Sequence, residues 1–237
     1  MSDGVLVGRI AAVFRYPVKS MAAEPLDHVD VSWHGLSGDR RWAFVRPDQA
    51  ANGFPWLTLR ERNDLNDYHP SWVEPDRPDA SAVVVRTPAG AQLDVTSPVL
   101  AAELGDAVRV MKLARGAFDT MPLSLITART IDGIGALVGA DLNVLRFRPN
   151  LFIEPLDGGE YPEDCWVGRT LTIGTASIRV NARDRRCVVV NVDPRTGLRD
   201  PGLLRAIAGH RDMCLGVYGS TLQPGRVAVG DDVRLGP

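Results

Sequence analysis

Lysine is nearly missing from this chain: of 27 basic residues only Lys19 and Lys112 are lysine, the rest being arginine. Cysteine is scarce too, with Cys165, Cys187 and Cys214 an odd number at wide spacing, which excludes a disulfide framework and any C-x-x-C zinc or redox motif. A large excess of one charge is absent, since the formal net charge is -2, so there is no electrostatic case for nucleic acid or an anionic membrane surface. No apolar run approaches the roughly 20 residues of a bilayer span. Met1 to Val7 lacks the basic stretch and apolar run of a secretory leader, and a cytoplasmic protein is the expectation. Strings of the type G-x-G-x-x-G, G-x-x-x-x-G-K, H-E-x-x-H and G-x-S-x-G are also missing, and His28, His34, His69 and His210 show no metal-ligand spacing.

What is present reads as short strands with few helices. Strands are predicted over Val7 to Phe14, Val29 to Trp33, Trp42 to Val45, Ala82 to Thr87, Val108 to Leu113, Leu151 to Ile153, Leu171 to Ile173, Ala176 to Val180 and Val188 to Val192, each bounded by Gly, Pro, Asp or Asn. The strings Leu104 to Val110, Val167 to Ile173 and Val229 to Leu235 each look like a glycine turn feeding an alternating strand, as at the closures of β-barrels. Helices are expected after Ser97-Pro98 up to Gly105, from about Thr127 to Gly139, and after Asp200-Pro201 up to Gly209. Asn63 to Ala80, rich in Asn, Asp and Pro, reads as a long surface loop.

Three segments carry chemistry. In Arg146-Phe147-Arg148-Pro149-Asn150, two arginines at alternate positions before a strand point the same way, offering planar donor forks to a phosphate or polar heterocycle; exposed, solvated arginines are the plain alternative. Cys187 stands where the basic loop Arg183-Asp184-Arg185-Arg186 meets an apolar strand, and nearby cations favour the thiolate, the form that binds metal. Tyr16-Pro17-Val18-Lys19-Ser20 and Gly35-Leu36-Ser37-Gly38-Asp39-Arg40-Arg41-Trp42 each put a cation and hydroxyl or amide donors in a turn able to hold phosphate, and each by itself is equally a solvated turn.

Taken in order, Y-P-V-K-S, G-L-S-G-D-R-R-W, F-R-P-N and R-C-V-V-V-N-V-D-P-R-T-G resemble the MOSC family with its N-terminal β-barrel domain, that of the amidoxime-reducing components and their bacterial relatives. The resemblance implies a mainly β, barrel-based α+β fold, with an N-terminal β-barrel domain over 1–115 packed on a MOSC domain over 116–237. It implies a molybdenum cofactor whose metal is ligated by Cys187, the catalytic residue. Lys19, Ser20 and Arg40 correspond to the positions holding the pterin phosphate; Thr127, Thr130, Arg148, Asn150 and Tyr218 correspond to further cofactor contacts. The implied activity is reduction of small N-hydroxylated substrates by removal of oxygen; the alternative is a carrier of molybdenum cofactor or sulfur without turnover. No iron–sulfur signature is present, so an external reductase or flavoprotein is the expected electron donor. Pyridoxal phosphate is not expected, since Lys112 sits in a predicted strand without a pocket motif. Where many relatives carry a threonine pair after the cysteine, this chain has Val190-Asn191. The Arg183 to Arg186 loop either binds an anionic substrate or is solvated.

Overall fold

A computed structural model of the chain describes residues 4–46, 54–156 and 158–237. It falls into two compact units that are discontinuous in sequence: residues 1–14, 25–37 and 120–237 form one, residues 15–24 and 38–119 the other.

The larger unit is a closed barrel of seven strands. Around the barrel run Leu151–Pro155, Leu123–Thr127, Cys214–Gln223, Ala176–Arg185, Thr170–Ile173, Asp232–Leu235 and Val5–Arg15, the last pairing back onto Leu151–Pro155. The N-terminal strand is therefore hydrogen-bonded along both edges, which joins it to barrel strands that all come from the second half of the chain. All neighbours are antiparallel except Leu123–Thr127 and Leu151–Pro155, which run parallel and so need a crossover. Helix Ala128–Val138 supplies it. Thr127 is its N-cap, accepting from the Thr130 amide at 3.3 Å, and Gly139 ends it in the left-handed region at φ 68°, with open space where a Cβ would stand.

Strand alternation sorts the apolar side chains into two cores. Leu125 joins Ile10, Leu151, Ile178, Val217 and Val233 in one cluster, while Ile126, next in sequence, joins Ile134, Val190, Leu203, Ile207 and Leu215 in another with the helices. Full burial of each such side chain contributes about 1.5–3 kcal/mol. Leu215 and Val217 would share a face in a regular strand, yet they enter different clusters. Gly216 between them takes φ +75°, and the pairing advances from Arg185 opposite Cys214 to Arg183 opposite Val217, so the strand holds one extra residue as a bulge.

In the smaller unit, Trp42–Val45 pairs with Arg109–Lys112, and His69–Trp72, Val83–Arg86 and Gln92–Asp94 form a three-stranded sheet beside helix Pro98–Leu104. Val18, Met21, Phe44, Leu59, Val85 and Leu100 are buried there. Arg15 is buried as well, with Nε donating to Glu24 Oε2 at 2.8 Å and Nη1 to the Pro75 carbonyl at 2.9 Å. Among the described residues no helix is long and apolar enough to cross a membrane.

Four expectations need correction. Val188 to Val192 is not a strand: the ladder ends at Arg185 opposite Cys214, and Val188–Asn191 coils into a 3₁₀ turn that buries Val190 against the helices. Arg183 to Arg185 belong to the strand rather than to a loop, so Cys187 follows a strand and precedes a turn. Asn63 to Ala80 is not one loop, because Asn63–Asp67 forms a 3₁₀ turn and Pro70 and Trp72 turn inward from the strand His69–Trp72. Helix Pro201–Arg211 continues through Gly209 and stops where Asp212 adopts φ 51°.

Candidate functional site

In the barrel unit, the candidate chemistry gathers where the Ala176–Arg185 strand gives way to Cys187. Arg186 is buried at 7% exposure and ties the neighbouring backbone together. Its amide donates to the Met213 carbonyl at 2.7 Å, Nε to the Leu215 carbonyl at 2.7 Å and Nη1 to the Phe147 carbonyl at 2.7 Å, while Nη2 lies 3.0 Å from Asp184 Oδ2. A planar fork with several donors suits this task, and a lysine could not replace it. The Gly216 bulge makes the arrangement possible: a Cβ there would lie 3.1 Å from Arg186 Nη2 and 2.7 Å from the Leu125 carbonyl. Arg186 thus neither meets solvent nor waits for a substrate; Arg185 is exposed, and Arg183 donates to the Arg211 carbonyl at 2.8 Å.

Cys187 follows directly, half-buried, at the N-cap of the 3₁₀ turn and without a side-chain capping bond to it. The turn is braced by Arg146, whose Nη2 donates to Asp193 Oδ2 at 2.7 Å and whose Nη1 reaches the carbonyls of Val190 and Asn191 at 3.3 Å. Arg146 and Arg148 do not share the side of a strand. Arg146 lies in the 3₁₀ turn Val144–Phe147, and Arg148, half-buried, caps that turn in the left-handed region at φ 50°.

Asn150 is fully buried and spends its carboxamide on backbone: Oδ1 accepts from the Ser124 amide at 3.2 Å, and Nδ2 donates to the Phe14 carbonyl at 3.2 Å. Ser124 Oγ donates to Asp184 Oδ2 at 2.7 Å. Tyr218 hydrogen-bonds Asp184 and Thr120, and burial, followed by the Asp184 carboxylate, drives its phenol above the usual range, so it remains an O–H donor. Thr127 and Thr130 are fully buried too, their hydroxyls donating to Glu163 Oε2 at 2.8 and 2.7 Å, with the Thr127 amide 3.3 Å from Oε1. Burial pushes the Glu163 carboxyl up, although these donors oppose the shift.

Lys19, Ser20 and Arg40 belong to the smaller unit. Lys19 is 6% exposed; its Nζ donates to the Ala117 carbonyl at 2.7 Å and is ion-paired with Asp119. Burial lowers its pKa, Asp119 opposes the shift, and Arg40 and Arg60 add to it. Ser20, buried, takes φ 68°. Arg40 is ion-paired with Asp39, whose Oδ1 accepts from the Tyr16 amide at 2.7 Å, and its guanidinium lies 4.5 Å from the centre of the Tyr16 ring. Sequence reasoning overlooked Glu163, Asp184 and Asp119. Each accepts from, or pairs with, a side chain far away in sequence, Thr127 and Thr130 for Glu163, Ser124 for Asp184 and Lys19 for Asp119, so no local spacing marked it.

A closed barrel with a braced, half-buried cysteine at the end of one strand, accompanied by a unit that buries a lysine, defines a two-unit β-barrel protein. Two family models cover the chain, the MOSC N-terminal beta barrel domain over residues 7–121 and the MOSC domain over 112–234. The chain belongs to the MOSC domain family. It is 23% identical over 95% of its length to a molybdenum cofactor sulfurase of Caenorhabditis briggsae, covering 36% of that protein. It is 26% identical over 49% of its length to mitochondrial amidoxime-reducing component 1 of Mus musculus, covering 37% of it. The chain thus spans little more than a third of the curated relatives it matches. Among solved structures, the YuaD protein of Bacillus subtilis shares the fold, with a TM-score of 0.52, 12% identity, and coverage of 97% of this chain and 95% of that one.

Proposed function

We propose that this chain binds a molybdenum cofactor through Cys187 and, with electrons from a separate reductase or flavoprotein, reduces small N-hydroxylated substrates by removing their oxygen. The observation that carries the reading is the setting of Cys187: a half-buried sulfur on a turn that Arg146 and Arg186 hold rigid from either side. The residues fit such a group. Sulfur is a soft donor of the kind a metal with dithiolene ligands accepts, and a fixed turn places it without the entropy cost of ordering a loop. The buried Lys19 and the half-buried Arg40 in the other unit are cations already paired with carboxylates, the charge type a phosphate would present.

Once bound, the metal and its dithiolene would supply the two-electron redox chemistry. The protein's part is to hold and orient. Arg186 fixes the backbone on which Cys187 sits, Arg146 fixes the turn that follows, and Tyr218 stays protonated as a hydrogen-bond donor. Lys19, Ser20 and Arg40 are assigned to the cofactor phosphate, and Arg148 to its polar part. Thr127, Thr130 and Asn150 act on it through the framework, since their polar groups are engaged with Glu163, Ser124 and Phe14.

Molybdenum and pterin content of protein from a cofactor-competent host, followed by benzamidoxime reduction with a reduced viologen donor, tests the proposal. Cys187→Ser should lose most of the metal and the activity, because a hydroxyl is a harder and far less acidic ligand. Full molybdenum occupancy and rate in that variant would refute the assignment. Metal without turnover would favour a second reading, carriage of cofactor or sulfur, which the match of 95% of the chain to a cofactor sulfurase supports.

A further inference from the structure

Backbone alternation at the end of strand Ala176–Arg185 sorts its last side chains onto two faces. Asp184 and Arg186 turn inward, 1% and 7% exposed, while Arg185 between them is exposed and Cys187 is half-buried. The chain stays extended through this stretch: the Arg186 amide still donates to the Met213 carbonyl, one step past the Arg185–Cys214 pair, and Cys187 takes φ -131° and ψ -177°. Arg185 and Cys187 therefore leave the backbone on the same side, about 6.5 Å apart along the strand. The arginines around Arg185 are occupied. Arg186 is paired with the buried Asp184, Arg183 donates to the Arg211 carbonyl and has its Nε 3.6 Å from Asp164 Oδ2, and Arg211 is ion-paired with Asp164. The Arg185 side chain makes no hydrogen bond or ion pair with any other described residue. The turn after Cys187 adds little polar recognition: Val188 is 42% exposed, Val190 is buried against the helices, and Asn191 Oδ1 accepts from the Leu204 amide at 3.0 Å. A molecule that reaches the Cys187 sulfur from solvent thus meets one unengaged guanidinium beside an apolar residue.

We propose that Arg185 is a specificity-determining residue that binds a carboxylate on the molecule handled at Cys187, so that the substrate class is N-hydroxylated compounds carrying a carboxylate about one aromatic ring away from the N-hydroxyl group. This rests on the preceding reading for the N-hydroxyl group, whereas recognition of the carboxylate does not depend on it. A single guanidinium matches a single negative charge, and its planar fork donates to both carboxylate oxygens at once. A doubly charged phosphate would call for a second cation, and Arg183, Arg186 and Arg211 already have their partners. Val188 supplies apolar surface for the part of the molecule between the two polar ends.

Two measurements test this, with Arg185→Gln, a change at an exposed side chain, as the variant. In cofactor-free protein, Cys187 is alkylated by iodoacetate and by iodoacetamide, and the modified peptide is quantified by mass spectrometry. Removing a positive charge about 6.5 Å away should lower the ratio of the iodoacetate rate to the iodoacetamide rate about threefold, the Coulomb attraction expected in water. In cofactor-loaded protein with a reduced viologen donor, kcat/KM should be higher for 4-carboxybenzamidoxime than for benzamidoxime, and that preference should fall about tenfold in Arg185→Gln, through KM, as one charge-assisted pair is lost. Arg185→Lys, which keeps the charge and loses the fork, should retain the alkylation ratio and only part of the substrate preference. An unchanged alkylation ratio in Arg185→Gln, no preference for the carboxylated substrate in the parent, or a preference that survives in Arg185→Gln overturns the proposal. Should no form turn over either amidoxime, binding of the two compounds to cofactor-free protein, read by ligand-detected NMR, decides: equal binding, or binding unaltered by Arg185→Gln, overturns it. The alkylation ratio and that binding need no molybdenum, so failure of this site and failure of the cofactor reading are told apart.

Discussion

Asn150→Ala separates a framework role from a cofactor contact. The carboxamide of Asn150 accepts from the Ser124 amide and donates to the Phe14 carbonyl, both at 3.2 Å, and the residue is fully buried. Truncation removes both bonds. Leaving a buried polar group without its partner costs about 1–3 kcal/mol, and bonds at 3.2 Å lie at the long end of normal, so about 2–4 kcal/mol in total is expected. Urea unfolding of the metal-free protein, followed by circular dichroism and tryptophan fluorescence, reads this as a lower midpoint with an unaltered slope. Asn150→Asp should be at least as destabilising near neutral pH, since it keeps the acceptor for Ser124 but sets a carboxylate oxygen against the Phe14 carbonyl. A loss below about 0.5 kcal/mol in Asn150→Ala, within the scatter of ordinary surface changes, would refute the framework role. A drop in molybdenum content with stability intact would return Asn150 to direct contact with the cofactor.

Two further outcomes are expected. Glu163→Gln should stabilise the protein at pH 8: because burial raises this carboxyl, its contribution to stability is complete below its ordinary 4.5 and is lost as pH rises through the raised value, so the variant's advantage should vanish in acid. Equal unfolding midpoints for variant and parent between pH 4 and pH 8 would show that Glu163 carries no such penalty. Gly216→Ala should cost about 2 kcal/mol or more and disturb the turn bearing Cys187, since its Cβ would meet the Leu125 carbonyl at 2.7 Å with φ at +75°. A crystal structure of that variant with the bulge unchanged and an unaltered melting temperature would contradict this.

Local chemistry in the sequence determined a good deal. The helix from Ala128 to Val138 is framed by a threonine cap and a left-handed glycine stop, and the glycine turns at Gly105, Gly168 and Gly230 adopt the positive φ that such turns require. Those signals operate within a few residues, so they can be read along the chain. The order of the four short motifs was enough to point to the MOSC family, which the family models show. What only the tertiary structure decided are pairings between distant segments. A run of valines after Cys187 suits a strand, but the ladder ends at the Arg185–Cys214 pair and Val188–Asn191 coils into a 3₁₀ turn that buries Val190. Strands Leu123–Thr127 and Cys214–Gln223, with little alternation in burial, were not foreseen, because a barrel strand covered on both faces lacks a period-two signal. Asp119, Asp184 and Glu163 stand beside Lys19, Ser124 and Thr127 across separations of 100, 60 and 36 residues. Such partnerships arise because burying a charge or a hydroxyl demands a partner from whichever segment the fold brings near, and sequence spacing holds no record of that.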